Sequence, residues 1–139
     1  LLLGAQAALD QQRQQPGIDR IELRRQTEAL QTWVADQPQD AAAWQLLSGT
    51  SEAIGLRLRS LRAGAEAQAA RGDITGAIDR MRAAQSAART ASVGQDFIEA
   101  SVIDSRMRQL VAQRRQLALE LREAQGGRAP REPNELPFS

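Results

Sequence analysis

Between a small set of breakers, apolar side chains recur along this chain at intervals of three and four, the period of a helix with one face turned inward. The punctuation is Pro16-Gly17, Pro38, Gly55, Gly72-Asp73, Gly94 and Gly126-Gly127, and six helices are predicted between these points. The first covers Leu1 to Arg13, with Leu2, Ala5 and Leu9 on one side. The second runs from Ile18 to Asp36 on a stripe of Leu23, Thr27, Leu30 and Val34 with Trp33 beside it, and ends before Pro38. Asp40 is placed to cap the third, whose stripe is Trp44, Leu47, Ser51 and Ile54, and Gly55 can supply the left-handed residue that ends it. The fourth, Arg57 to Arg71, turns Leu58, Leu61, Ala65 and Gln68 inward. At the Arg71-Gly72-Asp73 triplet, Gly72 stops that helix and Asp73 caps the fifth, so the tripeptide reads as a turn and not as an adhesion motif. The fifth helix, to Thr90, buries Ile74, Ile78, Met81, Ala84 and Ala88.

The sixth helix, Asp96 to Ala124, is the longest and opens with Asp96 and Glu99 at capping-box spacing, Phe97 and Ile98 being placed to staple it onto the others. Its seam of Ile103, Met107, Leu110, Leu117 and Leu121 alternates steps of four and three around Arg114. At about 1.5 Å per residue it reaches roughly 40 Å and is expected to overhang its predecessors. It either caps the stack or pairs with its own copy in a homodimer, capping being the expected role. Residues 125–139, with Pro130, Pro133 and Pro137, show no period and are expected to be a disordered tail, which leaves 1–124 as the folded domain.

Composition agrees with an all-α chain: Ala, Leu, Gln, Arg and Glu dominate, while aromatic residues make up 3%. At 139 residues, folding hides roughly two-thirds of the unfolded surface, enough for one core. Histidine, cysteine and tyrosine are absent, which removes most side chains that serve as nucleophiles, proton shuttles or transition-metal ligands near neutral pH. The acidic residues show no spacing that would make a catalytic pair or a magnesium site, so neither catalysis nor a cofactor is expected of this chain. All 18 basic residues are arginine, but the formal charge is only +1 and stacking aromatics are scarce, so no nucleic-acid partner is expected. No apolar run approaches the length of a membrane-spanning helix, and no membrane insertion is expected. The chain begins without methionine, inside a predicted helix, as expected of a piece of a longer protein.

Pro38, Gly55 and Gly72 stand seventeen residues apart, half of a thirty-four-residue repeat. Leu30 followed by Pro38 resembles the end of a tetratricopeptide repeat, and Trp44, Leu47 and Ser48 stand where the next places its Trp, Leu and small residue. Gly72-Asp73, Ala77 and Met81 resemble the turn and second helix of another, half a repeat out of phase, while Ser51, Ser60 and Gly64 depart from the pattern. The expected fold is therefore a short tetratricopeptide-like solenoid of stacked antiparallel helical hairpins with a long C-terminal capping helix.

The strings LQTW at Leu30–Trp33, DAAAWQLL at Asp40–Leu47, GDITGAIDR at Gly72–Arg80 and DFIEASVID at Asp96–Asp104 together resemble the C-terminal repeat region of BepA-like bacterial envelope proteases, in family forty-eight of the metallopeptidases. The resemblance covers residues 1–115. It implies a periplasmic setting, a role in outer-membrane protein quality control, and contact with client polypeptides, assembly partners or the family's own protease domain. The zinc helix of that domain needs two histidines, so zinc is expected only in a protease domain outside this sequence.

Trp33, Trp44, Met81 and Met107 are expected in the core, not on a binding surface. Arg57, Arg59 and Arg62 cluster at the start of the fourth helix, where forked guanidinium groups suit peptide carboxylates, although a solvated face beside Glu52 and Glu66 explains them as well. If the third and fourth helices line a concave wall, the candidate partner-binding residues are Gln45, Gly49, Glu52, Arg59, Arg62 and Glu66. The expected function is a non-catalytic interaction domain that holds a polypeptide. A structural dimerisation or spacer module is the alternative.

Overall fold

Local turn chemistry decides how this chain folds back on itself, and the computed structural model describes residues 4–9, 20–90 and 96–127. Among them are six helical segments and no strand: α1 (residues 4–9), α2 (Arg20–Asp36), α3 (Ala41–Ala53), α4 (Arg57–Ala70), α5 (Ile74–Thr90) and α6 (Asp96–Gly127). The breaks expected at Pro16-Gly17 and Gly94, and the prolines beyond residue 127, lie outside the described residues.

Two turns share one construction. Gly55 and Gly72 have φ of +83° and +88°, a region open to glycine because it lacks Cβ. After α3, the Leu56 N–H donates to the Ser51 carbonyl (2.8 Å) and the Gly55 N–H to that of Glu52 (3.0 Å). After α4, the Asp73 N–H donates to Gln68 and the Gly72 N–H to Ala69, both at 3.0 Å. Each is the paired closure of a glycine-ended helix, and the residue after the glycine opens the next helix. Asp73 does so with its carboxylate, which accepts from the Gly76 N–H at 2.9 Å. The seventeen-residue spacing is thus one helix and one such turn.

The α2–α3 turn is held differently. Asp40 accepts from the Ala43 N–H (3.0 Å) and from Trp33 Nε1 (2.9 Å), while Trp44 Nε1 donates to the Pro38 carbonyl (2.9 Å). Trp44 is buried as expected, but Trp33 is exposed, because its indole reaches out to Asp40 instead of inward. The two N–H donors hold the Asp40 carboxyl below its ordinary pKa of 3.8. A depressed carboxylate stabilises the fold above its unfolded pKa, and that contribution is lost as the pH falls through the folded value. Asp40→Ala should cost about 1 kcal/mol at neutral pH. In urea melts, the deficit should shrink below pH 3.8.

Such short connections make successive helices antiparallel neighbours. Each of α2 to α5 packs on its successor, and α6 also reaches α4. The core follows this path in clusters. Ala8, Leu23 and Ile54 close one end, Leu30, Val34, Trp44 and Leu47 fill the space between α2 and α3, and Ile78, Met81, Ile103 and Leu110 fill that between α5 and α6. Helix α4 contributes to two of them, Ala63 and Ala67 to one, Leu58 and Ala65 to the other. Every residue from Arg62 to Ala67 is buried, so α4 is the central helix of a solenoid-like stack, with small side chains that admit neighbours on all sides.

Helix α6 runs through the Gly126-Gly127 pair, three residues past the expected end. Glycine weakens a helix without forbidding it, and the first residue beyond that cannot continue one is Pro130. Its first half covers α5 through Ile103, Met107 and Leu110, the capping expected of it. Residues 112–126 are almost all exposed. Phe97 and Ile98 do not staple it down: they are 72% and 73% exposed, and α6 is tied at this end by the Glu99 carboxylate on Arg62.

Candidate functional site

The residues that the sequence grouped on one wall are dispersed by the central position of α4. Arg57, Arg59 and Arg62 leave the helix in three directions. Arg59 reaches back to Glu28 of α2, with Nη1 3.2 Å from Oε1. Arg62 is buried, pairs through Nε with the Glu99 carboxylate of α6, and holds its guanidinium carbon 5.9 Å from the Trp44 ring centroid. Glu66 is also buried and accepts two bonds from Arg106 of α6, at 2.8 and 2.9 Å. These two expected partner-binding residues are therefore internal ties between α4 and α6. The sequence could not show this, because α6 lies more than thirty residues away and nothing local to α4 announces its arrival.

On α3, Gln45 is exposed, and Gly49 faces α1, where a Cβ would stand 3.4 Å from Leu9 Cδ1. Glu52 is exposed at the edge of a groove of about 280 Å³ across α3, α4 and α5. Helix α3 supplies Ser48 and Glu52, α4 supplies Arg57, Ser60, Leu61 and Gly64, and α5 supplies Arg80 and Ala83. The Ser48 hydroxyl donates to the Ser60 carbonyl at 2.9 Å, which fastens α3 to α4 along one wall. Of the six expected residues only Glu52 lines this groove. Ser48, Gly64 and Arg80 line it without having been among the expected residues, although a glycine inside the predicted fourth helix was a visible signal.

A second cavity, about 340 Å³, lies on the other side of α4 between Trp44, Glu66, Ala70 and Arg106. Its two charges neutralise one another. A third, about 380 Å³, opens along α5 and α6 beside Met107, Val111 and Arg115. Among the described residues, no group of three or more Asp and Glu side chains is placed to hold a metal ion, and no helix is long and apolar enough to cross a membrane.

No family model, no curated protein and no solved structure matches this chain.

Proposed function

We propose that this chain is a non-catalytic interaction module that holds another polypeptide in the groove across α3, α4 and α5. The observation that carries this reading is the groove itself: three successive helices contribute its walls, with hydroxyls and charges spaced along an otherwise aliphatic lining. Extended peptides and amphipathic helices are recognised on such surfaces. The resemblance of residues 1–115 to the repeat region of BepA-like envelope proteases supports a setting in the bacterial periplasm, beside a zinc protease domain. The occupant would then be a client chain, an assembly partner or that protease domain.

A second reading, a homodimerising or spacer helix, is favoured by Leu117 and Leu121, which are 42% and 63% exposed on the overhanging half of α6. One experiment separates the two. Fluorescence anisotropy with a labelled, chemically unfolded polypeptide should show binding that Ala83→Trp weakens at least about tenfold by filling the groove from an exposed position, with no change in thermal unfolding. The Leu117→Glu, Leu121→Glu double variant should bind as wild type does, and both proteins should sediment as monomers. No binding, or binding that the tryptophan leaves untouched, would remove the client-groove reading.

A further inference from the structure

Charged side chains that cross between helices in this stack are matched almost throughout. Arg59 meets Glu28, Arg62 meets Glu99, Arg106 meets Glu66, and Arg20 donates to the Ile54 carbonyl at 3.1 Å. Arg80 departs from the pattern. It leans from α5 over α4 and has no ion-pair or hydrogen-bond partner among the described residues, and the same holds for Arg57 at the other end of the groove.

The Arg80 guanidinium lies against Gly64 of α4. Among the described residues, positive φ is confined to Gly55 and Gly72, so the Gly64 backbone has no need of glycine, and a helix-interior glycine costs about 1 kcal/mol relative to alanine. Steric crowding does not demand it either. A Cβ at Gly64 would stand 3.7 Å from Arg80 Nη1 and 3.7 Å from the Ser48 hydroxyl, ordinary contact distances. The guanidinium thus lies close to α4, beside a hydroxyl, and no carboxylate among the described residues pairs with it.

Resting on the client-groove reading, we propose that the groove selects acidic segments of its polypeptide, with a side-chain carboxylate of the client received by Arg80 and a following one by Arg57. A guanidinium presents parallel N–H donors that match the two oxygens of a carboxylate. The lining carries two arginines against one carboxylate, Glu52, a net of +1 by subtraction. A nucleic acid is the poorer match, because no aromatic ring lines the groove for a base to stack on. Glu52 sets the limit of the preference: it repels the same ligand that the arginines attract.

The test uses a fluorescein-labelled nonapeptide alternating glutamate with glycine and its glutamine counterpart, titrated into the whole chain at low salt. The glutamate peptide should bind about tenfold more tightly, the difference that two solvent-exposed ion pairs make together. Arg80→Ala should reduce that difference to about threefold, Arg80→Ala with Arg57→Ala should erase it, and Glu52→Gln should tighten glutamate-peptide binding about threefold by removing one repulsive charge. Raising the salt to 0.5 M should reduce the preference, since both arginines are exposed. Equal binding of the two peptides, still abolished by Ala83→Trp, would overturn the acidic preference and leave the groove standing. A labelled ten-nucleotide single strand bound more tightly than the glutamate peptide would also overturn it. Failure of both peptides and of the unfolded polypeptide to bind would remove preference and groove together.

Discussion

Glu99→Ala should destabilise the stack by about 3–5 kcal/mol, because it leaves the Arg62 guanidinium buried without its carboxylate. The Arg62 and Glu99 side chains are 7% and 14% exposed, so the pair is largely withdrawn from solvent. A domain of this size is stable by about 5–15 kcal/mol in total, and the loss should lower the melting temperature by about 10–20 °C. Replacing both partners with aliphatic residues, as in Arg62→Met with Glu99→Leu, should cost less than the single change, since no charge is then stranded. Part of the remaining cost is the lost contact of the guanidinium with the Trp44 ring. Urea melts of Arg62→Met, Glu99→Leu and the double variant give the coupling directly. A Glu99→Ala protein within 1 kcal/mol of wild type would show that α6 does not rely on this tie.

Leucines on one seam of α6 should respond very differently to truncation. Leu110→Ala removes a fully buried side chain packed with Ile78, Met81 and Ile103, and should cost about 2–5 kcal/mol through lost transfer free energy and the cavity left behind. Leu117→Ala, two helical turns further along, should change stability by no more than about 0.5 kcal/mol, because Leu117 stands on the overhang. Denaturant unfolding of the two variants measures both. A comparable loss at Leu117 would mean that the overhang is covered in solution, and concentration-dependent melting would identify a second copy as the cover.

The helices were legible because their ends are made by local chemistry. Pro38, Asp40, Gly55, Gly72 and Asp73 act within a few residues of themselves, and each terminates or opens a helix as its side chain requires. Apolar stripes on α3 and α5 were equally readable, since each has one inward face. Helix α4 was not readable in this way. Its inward stripe of Leu58, Leu61 and Ala65 is real but incomplete, because Ala63, Gly64 and Ala67 are buried as well and no polar side separates core from surface. A helix enclosed all round has no periodicity to betray which neighbour lies on which side. The candidate site depended on that choice. With α6 lying across Arg62 and Glu66, the accessible groove passes to the opposite side of α4, where only Glu52 of the expected set is found. Phe97 and Ile98 were misjudged for a related reason: hydrophobicity shows that a side chain would gain by burial, not that a neighbour stands within reach.

The order in which helices rest on one another has a kinetic consequence. Each lies chiefly against the next along the sequence, through connections of only three or four residues from α2 to α5, so few long chain segments must be immobilised before favourable contacts form. Proteins dominated by such near-sequence contacts reach the native state in about microseconds to milliseconds. The ties from α4 to Glu99 and Arg106 reach furthest along the chain among those between helices, spanning 37 and 40 residues, and they would mature late, locking a hairpin array that had already assembled.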